Sequence, residues 1–207
     1  MDSVTSPFYR SGTLIIISAP SGAGKTTVCT EARKIPGLVY SVSCTTRAPR
    51  PGEVDGKDYH FRSREAFQIL IEEGAFLEFA EVHGNFYGTL RSEVVRFLEQ
   101  GIDVLLDVDI QGAETIRQSK DAFILDSMAD VFLMPPSLEE LRKRLEGRGS
   151  ESKEQIELRL RNASREIDSW RKYRYAIVSG TREEDAQRFC SIILAERSVS
   201  KRMLVKK

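Results

Sequence analysis

Apolar positions along the chain fall into short unbroken runs separated by amphipathic stretches. Thr13 to Ser18 contains Leu14-Ile15-Ile16-Ile17 without a polar break, which predicts a strand covered on both faces. Lys25 to Lys34 reads as a helix closed by Pro36-Gly37, and Leu38 to Ser43 alternates as a half-buried strand. Ser63 stands as an N-cap before a helix with Phe67, Leu70 and Ile71 on one stripe and Gly74 as its stop. Phe76 to Val82 alternates in part, and Gly84 to Thr89 has the composition of a turn-rich connector. Ser92 to Gln100 is predicted helical, with Val94, Val95 and Leu98 apolar and Gly101 ending it.

The second half continues the alternation. Ile102 to Asp107 is a strand ending on an acid, followed by Asp109, Gly112 and a helix to about Gln118. Asp130 to Met134 is a further strand, closed by Pro135-Pro136. Capping boxes at Ser137-Leu-Glu-Glu140 and Ser152-Lys-Glu-Gln155 open two helices. The first places Leu138, Leu141 and Leu145 in register, the second Ile156, Leu160, Ala163 and Ile167. Tyr175 to Ser179 is the last strand and Glu183 to Arg197 the last helix, with Ala186, Phe189 and Ile193 inward. Met1 to Gly12 reads as a loose arm and Ser198 to Lys207 as a basic, solvated end. Strands alternating with helices predict an α/β fold, a mostly parallel sheet covered by helices, with ligands beyond the carboxyl ends of the strands.

Composition narrows the class without choosing it. The 207 residues suffice for one core with inserted lobes. Lys+Arg and Asp+Glu are 31 each, so net charge points to neither nucleic acid nor membrane as partner. No apolar run reaches the length of a membrane span, and the first residues lack a signal peptide's apolar centre. Cys29, Cys44 and Cys190 suit free thiols in a reducing compartment, hence a cytoplasmic protein; a redox-sensitive Cys44 beside an Arg-rich loop is the minor alternative.

The chemistry concentrates in a few stretches. Ala19-Pro20-Ser21-Gly22-Ala23-Gly24-Lys25-Thr26-Thr27 lies between a predicted buried strand and a helix, the context of a phosphate-binding loop. Its backbone N–H groups and the helix N-terminus would cradle phosphate, Lys25 would reach the outer phosphates, and the Thr26 hydroxyl would face Mg²⁺. Ala19 departs from the usual first glycine. Asp107, at a strand end, is a candidate acid facing Mg²⁺. Arg47 and Arg50 sit on a proline-stiffened loop and, with Tyr59 and Tyr87, are equipped to grip a terminal phosphate. Arg142, Lys143, Arg144, Arg148, Arg159, Arg161 and Arg165 are interleaved with glutamates; they read as salt-bridged surface helices, with a few free to face a transferring phosphoryl group. His60 and His83 read as structural or surface.

Four stretches in this order resemble guanylate kinase: Ser-Ala-Pro-Ser-Gly-Ala-Gly-Lys-Thr-Thr, Ser-Val-Ser-Cys-Thr-Thr-Arg-Ala-Pro-Arg-Pro-Gly-Glu-Val-Asp-Gly-Lys-Asp-Tyr, Leu-Asp-Val-Asp-Ile-Gln-Gly and Arg-Leu-Glu-Gly-Arg-Gly. The resemblance runs from about Leu14 to Arg197. It implies a P-loop NTPase fold with a core (13–40, 101–136, 170–197), a nucleoside-monophosphate-binding lobe (41–100) and a helical lid (137–169). It implies ATP and GMP as substrates and Mg²⁺ as the cation. By the same resemblance Ser43, Arg47, Arg50, Tyr59 and Tyr87 hold the GMP phosphate, and Glu78 and Thr89 read guanine. Asp109 is a substrate-binding acid, Asp107 the acid near the metal, Arg144 and Arg148 meet ATP phosphates, and Arg159 joins the transfer. Thr89 stands for a more usual serine, and Ser179-Gly180-Thr181 for Asn-Asp-Asp near the adenine. The alternatives are a non-catalytic phosphopeptide-binding module built on this frame, or a kinase for another monophosphate. Oligomeric state is left open.

Overall fold

The computed structural model describes residues 7–82, 84–147 and 152–205. The strands are β1 (Phe8–Arg10), β2 (Leu14–Ser18), β3 (Leu38–Tyr40), β4 (Cys44–Thr45), β5 (His60–Phe61), β6 (Phe76–Val82), β7 (Asn85–Leu90), β8 (Asp103–Asp107), β9 (Met128–Met134), β10 (Tyr175–Val178) and β11 (Met203–Val205). The helices are α1 (Lys25–Ala32), α2 (Arg64–Glu72), α3 (Arg91–Glu99), α4 (Ile110–Arg117), α5 (Ala122–Ser127), α6 (Leu138–Glu146), α7 (Lys153–Ile167) and α8 (Arg182–Glu196).

The apolar run of β2 is the centre of a five-stranded, all-parallel sheet of order β10-β9-β2-β8-β3. Leu14 and Ile16 face a layer with Val94 and Leu98 of α3 and Ile116 of α4. Ile15 and Ile17 face the other way, onto Val28 of α1 and Phe189 and Ile193 of α8. Both faces are apolar, which is why the sequence shows no alternation there. The register pairs Ile17 with Asp107 on one side and with Val131 on the other. The carboxyl ends of β2 and β8 therefore lie side by side, where the strand order reverses and ligands of such sheets sit.

A second sheet, of order β5-β4-β7-β6, occupies residues 44 to 90. Here the observed strands differ from the sequence reading twice. The expected strand Leu38 to Ser43 is two pieces: β3 joins the core sheet, the Ser41 N–H still donates to Leu105 O at 3.1 Å, and Cys44 then starts β4 in the other sheet. One continuous alternation serves two sheets. Gly84 to Thr89 is not a connector, because Asn85–Leu90 is the strand between β4 and β6. Gly88 is there for packing: a Cβ would lie 2.9 Å from the Phe76 ring. Phe67 of α2 stacks on Phe76 and Phe86, with centroids 4.4 and 5.4 Å apart, and fills the space between helix and sheet.

Ser63, Ser152 and Thr181 cap their helices as side-chain acceptors, the last two in full capping boxes. Ser137 accepts from the Glu140 N–H at 3.1 Å, but no return bond closes that box. The Glu140 carboxylate instead accepts from Arg144 Nε at 3.3 Å. Leu138 is exposed, and Ile167 only half-buried, against expectation. The helix α5 and a 3₁₀ turn at Asp168–Lys172 carry no strong sequence signal.

The ends of the described chain also depart from the expected loose arm and solvated tail. β1 and β11 form an antiparallel ribbon. Arg202, 2 % exposed, donates to the carboxylate and carbonyl of Glu196 at 2.6 and 2.8 Å. Arg10 and Arg197 both pair with fully buried Asp103, at 2.7 Å each. Removing one member of a buried pair leaves the other charge uncompensated. Arg202→Ala is accordingly expected to lower unfolding free energy by about 3 kcal/mol. Urea denaturation tests this, and a change within error would return the tail to the surface.

Candidate active site

The phosphate-binding loop leaves β2 at Ser18 and enters α1 at Lys25. Gly24 is the N-cap, at φ +103, and no side chain caps the helix. A left-handed N-cap favours glycine; the Thr27 N–H donates to Gly24 O at 3.1 Å, and the Lys25 and Thr26 N–H groups, which no side chain caps, are left for a ligand. Gly22, at φ +94, faces Leu141 and Leu145 of α6; a Cβ would lie within 3.0 Å of both. The loop is thus wedged under α6. Lys25 reaches across to Asp107 as an ion pair and donates to Val108 O at 3.2 Å. Thr26 is exposed at the helix start, next to a cavity of about 410 Å³ that is also lined by Asp109 and Glu166.

A second cavity, about 350 Å³, lies between the core and the 44–90 sheet. Ser43, Tyr59, Glu78, Tyr87, Asp107 and Asp109 line it, together with Tyr40 and Ser41. Glu78 is 8 % exposed and accepts from the Thr89 hydroxyl at 2.6 Å. Thr89, 1 % exposed, stands behind Glu78, not in the lining. Burial raises the Glu78 carboxyl above its ordinary range; the Thr89 hydrogen bond opposes this and the Asp109 charge adds to it. Arg47 holds Glu53 in a two-pronged pair, both bonds 2.9 Å, with its guanidinium 5.3 Å from the Tyr59 ring centre. Glu53 and the Tyr87 hydroxyl raise the Arg47 guanidinium, and Arg47 with the Arg50 N–H holds Glu53 low. Neither Arg47 nor Arg50 is among the residues lining the cavity; the Arg50 side chain is exposed, and only its backbone N–H, donating to Glu53 at 2.7 Å, joins the cluster.

A third cavity, about 430 Å³, opens on the other side of the loop, between Gly22–Gly24, Arg144 and the Ser179–Arg182 turn. The Leu141, Leu145, Ile156, Leu160 and Ala163 cluster clamps α6 to α7, and across their outer face Arg142 pairs with Glu157. Lys143 pairs with Glu139 on α6, so the surface reading holds for this part of the cluster. Arg159 is different: it hydrogen-bonds the Ser21 hydroxyl of the loop. Arg148 and His83 lie outside the described residues. His60 contacts Glu93 at 3.2 Å, away from the clefts. Cys44 is fully buried and burial pushes its thiol up to about 11, which leaves no thiolate for a redox role. Glu166 was missed in sequence. It follows Arg159 by seven residues, two turns along one helix face, and that spacing is the signal that points to it.

A glycine loop that opens a helix beyond the central strand of a parallel sheet defines the class, the phosphate-loop nucleotide-binding α/β proteins. Within it, the guanylate kinase family model matches residues 11–196. A guanylate kinase from Geobacter metallireducens is 46% identical over 200 residues, 94% of each chain. One from Desulfitobacterium hafniense is 45% identical over 192 residues, 92% of this chain and 94% of the relative. The crystal structure of guanylate kinase from Anaplasma phagocytophilum superposes with a TM-score of 0.72 at 35% identity, covering 96% of this chain and 93% of that one. The chain belongs to the guanylate kinase family.

The raised Glu78 carboxyl has a stability consequence. The folded protein binds that proton more tightly than the unfolded chain, so stability falls as pH rises from the ordinary value of 4.5 through the raised one. Glu78→Gln removes the titration. Its melting temperature is expected above the parent's at neutral pH, with the advantage shrinking as pH approaches 4.5. Melting curves across that interval decide it; a pH-independent difference would mean the carboxyl is not held high.

Proposed function

We propose that this chain transfers the γ-phosphoryl of ATP to GMP, giving ADP and GDP, with the two nucleotides in facing clefts. The observation that carries the arrangement is Asp109, which lines both the loop cavity and the 44–90 cavity. A donor in one and an acceptor in the other would meet beside it. On this reading residues 41–100 act as the acceptor lobe, 137–169 as the lid, and 13–40, 101–136 and 170–197 as the core.

The Ala19 to Thr27 loop takes the donor phosphates through backbone N–H groups, Pro20 having none to give, with Lys25 exchanging Asp107 for phosphate oxygens. Ser43, Arg47, Arg50, Tyr59 and Tyr87 take the acceptor phosphate, Arg47 exchanging Glu53 for it. Glu78 accepts from guanine N1–H and its exocyclic amine, and Thr89 orients Glu78 from behind. Arg144, Arg148 and Arg159 neutralise charge that spreads over the transferring group; Arg148 is assigned by resemblance alone. The acceptor phosphate is already anionic at neutral pH, so alignment and charge neutralisation supply the rate and no strong base is needed.

The donors near the loop suit a hard cation. Thr26 offers a hydroxyl and Asp107 a carboxylate, and the described residues contain no cluster of three or more acidic, histidine or cysteine groups to bind a metal alone. Mg²⁺ is commonly held by one or two carboxylates plus substrate phosphates. Thr26 and Asp107 would hold it, and bound there it draws negative charge off the phosphate oxygens. No described helix is long and apolar enough to cross a membrane. Three free cysteines, two of them buried, fit a reducing cytoplasm, and on this reading the partners are the small-molecule substrates ATP and GMP.

Coupled ADP release across a panel of monophosphates tests the whole assignment. GMP is expected to exceed AMP by roughly 10⁴ in kcat/KM, since AMP lacks the N1–H that Glu78 needs. Lys25→Ala is expected to lose about 10²–10³ in turnover. Equal use of AMP would strip Glu78 of its role, and GMP turnover unchanged in Lys25→Ala would leave a binding module in place of an enzyme.

A further inference from the structure

The Ser179–Gly180–Thr181 turn joins the end of β10 to α8 and forms one wall of the cavity that Arg144 also lines. Its anchoring is unusually complete. The Ser179 N–H donates to Met134 O at 2.8 Å, which ties the turn to the carboxyl end of β9. The Ser179 hydroxyl donates to Asp185 at 2.6 Å, and the Gly180 N–H donates to the other oxygen of the same carboxylate at 2.8 Å. Asp185 and Ser179 are each 4 % exposed. A serine hydroxyl has one proton, and an ionised carboxylate only accepts. With that proton given to Asp185, the Ser179 oxygen is left to accept, and what it accepts is Arg144 Nη1, at 2.8 Å.

Arg144 is held from three directions. Nε donates to Glu140 at 3.3 Å, Nη1 to Ser179, and Nη2 leans on Gly180 O at 3.5 Å. A guanidinium has five N–H donors in one plane, so three fixed acceptors set the plane and leave two N–H groups over. These belong to a head that lines the same cavity as Gly22 and Gly24 of the loop. Glu140 alone would allow rotation about the last side-chain bonds, and as an i, i+4 pair 40 % exposed it is a weak restraint. The buried hydroxyl is the firm one.

From this geometry we infer that Ser179, fixed by Asp185, is a positioning residue for Arg144: an Asp185–Ser179–Arg144 relay through which the α8 end of the core aims an arginine of α6 at the donor phosphates. The inference rests on the donor-phosphate role given above to Arg144. It assigns to the turn an effect on turnover that does not require the turn to touch the donor base.

A double-mutant cycle on the full chain tests it, with GMP and ATP as substrates and melting temperature read alongside. Ser179→Ala is expected to lower kcat about tenfold while the KM for GMP stays within about twofold, because orientation and not acceptor binding is lost. In an Arg144→Ala background the same substitution is expected to change kcat by less than about twofold, since a relay with no terminus has nothing to aim. Should Ser179→Ala fail to fold, Ser179→Cys, of similar volume but a poor acceptor, enters the same cycle with the same expectations. Equal loss in both backgrounds, or no loss in the parent, overturns the relay. An Arg144→Ala single variant with unchanged turnover is the separate signature of a wrong role for Arg144, and removes the inference with it.

Discussion

The ion pair between Lys25 and Asp107 joins the carboxyl ends of two adjacent parallel strands, β2 and β8, through the first residue of α1. It depends on the burial of Leu14 to Ile17 on both faces, because only a strand locked between β8 and β9 puts the loop and the acid in register. The loop cavity and the 44–90 cavity lie on either side of that joint, Lys25 lining the one and Asp107 the other. Asp109, two residues beyond Asp107, N-caps α4 by accepting from the Gly112 N–H at 2.7 Å. That cap sets where α4 meets β6, and Gly112 leaves room for Glu78, whose oxygen would lie 3.2 Å from a Cβ there. One strand register thus fixes the loop, the acid pair and the carboxylate proposed to read the base.

Much of this was legible in the sequence, for reasons that differ by element. The β2 run and the glycine loop are local signals: apolar continuity and residues that only one backbone geometry tolerates. The starts of three helices are legible in Ser63, Ser137 and Ser152 because a cap is decided within four residues, whereas the cap at Thr181 is seen only in the structure. Tyr59 and Tyr87 are legible as hydroxyl donors beside the proline-stiffened arginine loop, the resemblance to guanylate kinase adds Ser43 and Asp109, and the cavity between the sheets gathers all four.

What could not be read is what depends on distant partners. Gly88 has the composition of a turn, yet it is a strand residue whose missing side chain admits Phe76. Arg202 has the composition of a solvated tail, yet Glu196 and Met128 O receive it inside the fold. Arg144 and Ser179 are 35 positions apart, and no spacing rule joins them. Glu140 was assigned to a capping box it does not complete, since the same carboxylate is engaged by Arg144 one turn later. In each case a local rule was outcompeted by a tertiary contact.

The cations in and beside the clefts share a further property. Lys25 rests on Asp107, Arg47 on Glu53, Arg144 on Glu140 and Ser179, and Arg159 on the Ser21 hydroxyl. None is held in place by an unbalanced field; each has an oxygen acceptor supplied by the protein. On the proposed reading the incoming phosphates replace the Asp107 and Glu53 oxygens like for like, while Arg144 keeps Glu140 and Ser179 and offers its remaining N–H groups, so the charged groups are never desolvated without a partner. Such an exchange adds little to ground-state affinity, because one anionic acceptor leaves as another arrives. What it does supply is orientation: side chains already ordered lose little further freedom when phosphate takes the vacated place. A cleft built this way favours rate over tight binding, which suits an enzyme that must release two charged products after every turnover.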